Sequence, residues 1–289
     1  MSIIKTPKTY KEQIEKLRLR GCFIDDDSFA ENVLSHINYY RLSAYFLPFR
    51  QNDESYITGT NFRTVYRIYE FDRNMRNILF AAIGKIEIFL RAKFAYYHAH
   101  QYGALGYKDS FNYNKTHKHN EFLIHLDSEI DKNKKVAFVK HHIENYNRKF
   151  PIWVIVDLFT FGMLSYFYAD MKTRDQKYLA KDLFGLAPQV LRSFLRCCTD
   201  LRNICAHYGR LYFRVFSAVP SGFLNIPEAD RRRLFGAVMM LKILYADTDS
   251  WSREVHSPLR SLIAEYKSDI ELYHIGFPED WEKYIVKRV

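Results

Sequence analysis

The sequence predicts an all-α protein. Its 289 residues include only 11 glycines and 8 prolines, and apolar residues recur every three or four positions over long stretches. Hydrophobic residues make up 48% of the chain, which is typical of a globular rather than a disordered protein. We expect an N-terminal helical extension over residues 1–60 and a helical domain over residues 61–289, which can also form one continuous domain.

The N-terminal part begins with two short helical patterns. Residues 7–20 place Ile14 and Leu17 on one apolar side, and Gly21 suits the position that follows a helix. Residues 25–28 then supply N-cap side chains for a second helix, which extends to about Ile37.

An aromatic block follows over residues 36–49, with Arg41 in its middle. Two interpretations are open. The block can be a platform for single-stranded RNA, in which rings such as Tyr40 stack on bases and Arg41 holds a phosphate. Alternatively, the rings belong to the core, and we expect this for most of them, with Arg41 as the exception.

A long helical pattern runs from Asn61 to about Tyr102. Glu87 and Arg91 lie four residues apart within its most apolar part. They form either a simple intrahelical salt bridge or a pair that faces a functional site elsewhere. The loop at 103–120 contains His117 and His119, but without a nearby acidic or cysteine partner we expect no metal site there.

Helical patterns continue through the middle of the chain. We predict helices over 121–131, 134–146 and 174–184, and a nearly apolar helix over 151–168 that crosses the core. The next helix begins near Ala187 and ends with residues 200–207, Asp-Leu-Arg-Asn-Ile-Cys-Ala-His. Beside its buried stripe runs a polar one that consists of Arg196, Asp200, Asn203 and His207.

The segment after His207 contains further candidate residues. We expect Gly209 to end the helix in a left-handed turn, Arg210 to contact a phosphate and Tyr212 to stack on a base. Pro227 opens a predicted helix over 228–246, whose first turns contain three arginines that either bind RNA or an acidic neighbour or are simply solvated. A helix near 257–269 and a segment docked by Trp281 complete the chain.

The composition indicates the class of partner and the cellular compartment to expect. The net charge of +10 and the pI near 9.2 favour a polyanionic partner, nucleic acid first. The four cysteines have no disulfide or zinc spacing, and Cys198 and Cys205 lie on an apolar stripe, which indicates core thiols in a reducing compartment. Residues 1–7 lack the apolar region of a signal peptide, and the longest apolar run is interrupted by polar residues, so we expect a cytoplasmic protein without a membrane span.

Several motifs resemble known families. Arg202-Asn203-x-x-x-His207 resembles the Arg-(Asn, His or Asp)-x(3–5)-His signature of the HEPN ribonucleases, whereas Arg91-x(6)-His98 is a looser match that we attribute to chance. Three further blocks, which begin at Tyr39, Ile68 and Pro151, resemble in order the Abi-like (AbiD/AbiF-type) abortive-infection proteins. They read Tyr-Tyr-Arg-Leu-Ser-x-Tyr-x-x-Pro-Phe, Ile-Tyr-Glu-Phe-Asp-Arg-x-x-Arg and Pro-Ile-Trp…Phe-Gly-x-Leu-Ser.

The resemblance implies a HEPN-like helical bundle with an N-terminal extension. It also implies a toxin-like, phage-defence endoribonuclease that needs no metal or other cofactor and builds a composite active site in a homodimer. An RNA substrate and a small non-coding RNA regulator are the implied partners.

Each motif residue suits metal-free RNA cleavage, in which the 2′-hydroxyl of the RNA attacks its own phosphate. His207 can act as acid or base, Arg202 can clamp the charged phosphorane, and Asn203 can orient the imidazole or hydrogen-bond the phosphate. Glu87, Arg91 and Asp200 are expected to support them. Arg202 and His207 lie about 140° apart on an ideal helix, so either the helix ends between them or two motifs combine across a dimer.

Two less specific interpretations remain. Asn and His near the end of a helix commonly cap its carbonyl groups, without any catalytic role. The chain can also be a non-catalytic HEPN scaffold that binds a structured small RNA, since its basic charge and aromatic blocks fit that function equally well.

Overall fold

The computed structural model describes residues 6–223 and 226–286, and it confirms the all-α prediction. No strand forms in these two ranges, in which the only β-type pairing is three isolated bridges. The α-helices, in chain order, are α1 (Tyr10–Leu19), α2 (Asp27–His36), α3 (Tyr39–Ser43), α4 (Phe62–Tyr102), α5 (His119–Lys132), α6 (Ala137–Asn145), α7 (Ile152–Ile155), α8 (Phe161–Asp170), α9 (Thr173–Phe184), α10 (Pro188–Ala206), α11 (Glu228–Arg231), α12 (Leu234–Leu244), α13 (Thr248–Trp251), α14 (Ser257–Glu265) and α15 (Glu282–Ile285).

Helix α4 is the central element of the fold. Its 41 residues extend about 60 Å at the rise of an α-helix, from the cap formed by Asn61 to Gly103. Helix α10 packs against it and runs in the opposite direction. Tyr168, which stacks on Phe94 of α4 at 5.5 Å, donates a hydrogen bond to the carbonyl of Pro188 at the start of α10. The chain just beyond the end of α10 instead binds Asp72, near the start of α4.

The N-terminal helices form as predicted. Thr9 and Glu12 cap α1 reciprocally, and Gly21 follows that helix with a φ of +90°. Within the aromatic block, Tyr45 and Phe46 are buried, which confirms the core interpretation for these two rings.

The helix predicted over 151–168 is wrong as one continuous element. A short helix, α7, and a 3₁₀ turn over Val156–Leu158 end at Phe159, and α8 begins afresh at Phe161. The Thr160 hydroxyl accepts a hydrogen bond from the backbone N–H of Met163, so it competes with the continuous helix by capping a new one. Apolar periodicity persists across such a break and therefore does not reveal it.

The helix predicted over 228–246 is also divided, into α11 and α12. Arg233, between them, has an extended backbone and donates a hydrogen bond from Nη1 to the carbonyl of His274. A Cβ on Gly236 would lie 2.4 Å from the carbonyl oxygen of Arg231, so this close approach of backbone requires glycine. The three arginines therefore mark a break between helices and not one solvated helical face.

The buried apolar side chains form one hydrophobic cluster, which extends from Ile14 to Ile285. Trp281 is buried, as predicted for the terminal segment. All four cysteines are buried and unpaired, and burial raises the pKa of Cys205 to about 12. No helix in the described ranges is long and apolar enough to cross a membrane. The segment predicted to lack a signal peptide begins with residues 1–5, which lie outside those ranges.

Candidate functional site

Helix α10 carries the Arg-Asn-x-x-x-His motif at its C-terminal end, with His207 as the C-cap residue. It ends at Ala206, and the backbone N–H of His207 still donates to the carbonyl of Asn203 at 3.0 Å. The helix therefore does end between Arg202 and His207, but only one residue before the histidine. Because His207 follows the last helical residue directly, the two side chains still leave the helix about 140° apart, and one copy of the motif does not aim both at one point.

The motif side chains are accessible at this end of the helix. Asn203 and His207 are exposed on the predicted polar stripe, and Asp200 is half-buried. Nη1 of Arg202 lies 3.5 Å from Oδ1 of Asn203. Within residues 6–223 and 226–286, the His207 imidazole has no hydrogen-bond or ion-pair partner, so both ring nitrogens remain open to a substrate.

A left-handed turn ends α10, but at Tyr208 rather than at the predicted Gly209. Tyr208 has a φ of +55°, and its N–H donates to the carbonyl of Cys205. The N–H of Gly209 donates to the carbonyl of Ile204 at 2.7 Å, which completes a Schellman cap. Gly209 instead allows a close approach: a Cβ there would lie 3.0 Å from the side chain of Ile204 and 3.1 Å from its carbonyl oxygen, so a larger residue would require Ile204 to shift.

A buried carboxylate fixes the chain after this turn. Asp72 of α4 accepts hydrogen bonds from the backbone N–H groups of Leu211 (3.0 Å) and Tyr212 (2.6 Å) and from the Tyr45 hydroxyl (2.6 Å). Arg76 forms an ion pair with the same carboxylate and also donates to the carbonyl of Gly209. Burial raises the pKa of Asp72, while Arg76 favours its ionised form. Sequence analysis missed this pair. Two opposite charges four residues apart, within the apolar stripe of a predicted helix, could have indicated it.

A basic depression, which we call the arginine pocket, adjoins the end of α10. Its volume is about 750 Å³, and its polar lining comprises His36, Asn38, Arg41, Arg73, Arg76, Asn77 and Tyr208. Arg41 is exposed and donates from Nη1 to the carbonyl of Tyr208 at 2.6 Å, so it helps to hold the strained turn. Tyr40 is 86% exposed but lines a different depression, with Tyr39 and Ser43.

Glu87 and Arg91 do not face the end of α10, and that expectation is wrong. They form an intrahelical ion pair, and Arg91 also donates to the carbonyls of Asp157 (2.9 Å) and Phe159 (2.6 Å), at the break between α7 and α8. Arg91 is 15 residues beyond Arg76, about 22 Å further along α4. The pair therefore has a structural role, because it satisfies carbonyl groups that the interrupted helix leaves open.

The predicted contacts of Arg210 and Tyr212 also need correction. Tyr212 is only 1% exposed, and its hydroxyl hydrogen-bonds Nδ1 of His274 at 2.8 Å, so its ring is not available to stack on a base. Arg210 is half-buried and donates to the carbonyl of Ala44 at 2.6 Å, and burial lowers its pKa. Both side chains anchor the turn against the rest of the fold.

His98 and His117, which the sequence singled out, are separate from this site. His98 is 1% exposed and therefore unavailable to a substrate, which agrees with treating Arg91-x(6)-His98 as a chance match. His117 does have an acidic partner, Asp170, at 2.9 Å, which the sequence did not reveal because the two are distant in the chain. Across the described residues, no three His, Cys, Asp or Glu side chains are grouped so that they could hold a metal ion.

Comparison with known proteins gives one family. The profile described as Abi-like protein matches residues 32–213, more than half of the chain. The matched range includes the aromatic block, α4, the Asp72–Arg76 pair and the whole of α10. No curated protein and no solved structure matches the chain.

Proposed function

Because the chain belongs to the Abi-like protein family, we propose that it acts in abortive infection as a metal-independent endoribonuclease of the HEPN type. The observation that carries this proposal is His207, whose exposed imidazole has no partner in the described part of the chain and lies one turn from Asn203. A histidine whose side chain only capped the helix would bind carbonyl groups of its last turn through the imidazole. Only the backbone N–H of His207 does so.

In the proposed reaction, His207 acts as general base or general acid. The base removes the proton of a ribose 2′-hydroxyl, and the 2′-oxygen attacks the adjacent phosphorus. The bond from phosphorus to the 5′-oxygen then breaks, and the acid protonates the leaving oxygen. Arg202 stabilises the charged phosphorane, Asn203 orients the reacting groups, and Asp200 supports them. The products are a 2′,3′-cyclic phosphate and a 5′-hydroxyl.

We infer that a homodimer completes the site. Helical geometry separates the side chains of Arg202 and His207 by about 140°, so a second copy of the motif is the simplest source of the group that is missing at one phosphate. Two copies would also supply two histidines, one as base and one as acid.

The Arg41 side chain and the arginine pocket are the proposed RNA contacts beside the scissile bond, and Tyr40 is an exposed ring that can stack on a base further away. Guanidinium groups bind phosphates strongly, and aromatic faces bind bases without requiring a particular sequence. Arg41 reaches the pocket from the aromatic block while it binds the carbonyl of Tyr208, so it links RNA binding to the turn that follows His207.

The test is RNA cleavage in EDTA by the wild type, His207→Ala and a matched control, His125→Ala, in which another exposed histidine is removed. Co-purified RNA is stripped first, and product ends are identified by their sensitivity to phosphatase and kinase. We expect cyclic phosphate ends from the wild type and the control, and a loss of at least a hundredfold in His207→Ala. Equal cleavage by His207→Ala would refute the assignment.

A second candidate function is supported by the arginine pocket, because its arginines could bind RNA without any contribution from His207. In this case the chain is a scaffold that binds a structured small RNA and cuts nothing. Tight RNA retention by both the wild type and His207→Ala, with no cleavage by either, would favour the scaffold over the nuclease.

A further inference from the structure

A second depression, which we call the α10 groove, lies along the exposed face of α10. Helix α8 forms its other side, residues 217–219 form one edge, and its volume is about 910 Å³. It is separate from the arginine pocket, and the two share no lining residue. No function considered above accounts for it.

The floor of the α10 groove has two free cations. Arg192 and Arg196 are exposed, and neither makes an ion pair or a side-chain hydrogen bond anywhere in residues 6–223 and 226–286. They lie four residues apart, so their Cα atoms are about 6 Å apart along the helix axis and on one face. Other exposed arginines, such as Arg18 and Arg63, bind nearby carboxylates.

The wall formed by α8 combines small residues with one aromatic ring. Gly162, Ser165 and Ala169 face the groove at helical spacing, so the wall leaves space above the arginines. Tyr166 stands at the same wall, and its side chain is 72% exposed although it is large and aromatic. An exposed ring beside unpaired guanidinium groups is the combination that binds single-stranded nucleic acids.

The groove leads to the proposed catalytic end of α10. Asp200 lines the groove, and Asn203 and His207 continue the same helical face. Asn203 lies about 11 Å and His207 about 17 Å from Arg196 along the axis. An RNA strand with its scissile phosphate at His207 can therefore reach the two arginines of the groove along the same face of α10.

We propose that the α10 groove binds the single-stranded RNA that flanks the scissile phosphate. Arg192 and Arg196 contact successive parts of its backbone, and Tyr166 stacks on one base. Helices α8 and α10 pack directly against each other, so the groove follows the line between two neighbouring helices. The proposal rests on the proposed function, since it assigns the substrate path of that site.

The experiment measures RNA binding separately from cleavage. Every variant is made in the His207→Ala background, and fluorescence anisotropy gives the Kd of an unstructured, fluorescein-labelled oligouridylate at several NaCl concentrations. For single strands, each lost phosphate contact lowers the slope of log K against log[salt] by about 0.7. Arg192→Ala/Arg196→Ala should therefore lower the slope by about 1.4, and Arg192→Lys/Arg196→Lys should retain most of it.

Tyr166 and a matched charge control complete the design. Tyr166→Ala should weaken binding about tenfold and leave the salt slope unchanged, while Tyr166→Phe should bind nearly as the parent does. Lys177→Ala/Lys181→Ala removes two exposed cations from α9 at the same spacing and should have little effect.

The outcomes distinguish this proposal from the nuclease itself. One outcome is that the chain with His207 intact cleaves RNA, while the salt slope of Arg192→Ala/Arg196→Ala equals that of the Lys177→Ala/Lys181→Ala control. The groove proposal is then overturned and the nuclease stands. If nothing cleaves but the groove variants lose RNA binding as described, the groove proposal stands and the nuclease falls. A further outcome is that polyglutamate displaces the labelled RNA as well as unlabelled oligouridylate does, with Tyr166→Ala leaving this competition unchanged. That result would overturn the RNA proposal in favour of an acidic protein ligand.

Discussion

Tyr208 is strained at the point where the proposed site begins. An L residue in the left-handed region costs about 1–2 kcal/mol, and glycine would avoid this cost. The conformation is maintained by Arg41, which binds the carbonyl of Tyr208, and by Arg76, which binds the next carbonyl. The ring is 68% exposed beside His207, and we predict that its side chain contributes to the proposed site, which glycine could not do.

Tyr208→Gly is therefore expected to stabilise the protein by about 1 kcal/mol and to reduce RNA cleavage. The free energy of unfolding is measured in urea, and cleavage is measured under saturating RNA. Tyr146→Gly, which changes another exposed tyrosine at a position without left-handed geometry, serves as the control and should destabilise. A Tyr208→Gly protein that is less stable than the wild type would contradict the strain argument.

Asp72 determines where the chain goes after the motif. Asp72→Asn preserves the size of the side chain but leaves Arg76 buried without its counter-charge and weakens the bonds to Leu211 and Tyr212. We expect a loss of about 3 kcal/mol in unfolding free energy. Asp182→Asn, on the exposed face of α9, is the control and should stay within about 0.5 kcal/mol of the wild type.

At the scale of helices, the break between α7 and α8 shapes the α10 groove. It allows α8 to begin at Phe161 and to present Gly162 to the groove, and Arg91 supports the break by binding carbonyls on its α7 side. Arg91→Met should cost about 2–3 kcal/mol of stability, because it leaves these carbonyls and Glu87 without a donor.

Arg91→Met also separates a structural role from a catalytic one. Cleavage per folded molecule should remain near the wild-type value, because Arg91 lies far from His207. Adding Glu87→Gln should restore part of the lost stability by removing the unpaired charge. A large fall in kcat with unchanged stability would revive the discarded catalytic role.

The sequence predicted the helices whose periodicity is unbroken, and it placed the motif at the end of one of them. It did not predict the breaks at Phe159 and Arg233. The first arises because the Thr160 cap competes with the helix, and the second accompanies the extended backbone of Arg233 and its bond to the carbonyl of His274. Neither disturbs the apolar pattern of the sequence. Nor could it pair Asp72 with Leu211, which is 139 residues away. The polar stripe of α10 could be predicted from the sequence. The groove beside it could not, because it depends on where α8 packs against α10.

At the scale of the whole molecule, two buried histidines make the fold sensitive to acid. His98 packs among the rings of Tyr102, Tyr113 and Phe167, and neither ring nitrogen has a hydrogen-bond partner. His274 joins the C-terminal segment to Tyr212. Burial lowers the pKa of each to about 4.

These pKa values give a definite direction of pH dependence. In the unfolded chain these two histidines are protonated below about pH 6.5, whereas in the folded chain they resist protonation until about pH 4. The stability due to each histidine is thus complete above pH 6.5 and is lost as the pH falls towards 4. At pH 5 the loss is about 2 kcal/mol for each residue, since one pKa unit corresponds to about 1.4 kcal/mol.

Urea unfolding at pH 7 and pH 5 checks this expectation. The wild type should lose roughly 4 kcal/mol between the two, and His98→Leu should lose only about half of that, because an apolar side chain in this aromatic site cannot take up a proton. His125→Ala, at an exposed position, should keep the full dependence. If His98→Leu lost as much stability as the wild type, the buried imidazole would not be a source of the acid sensitivity.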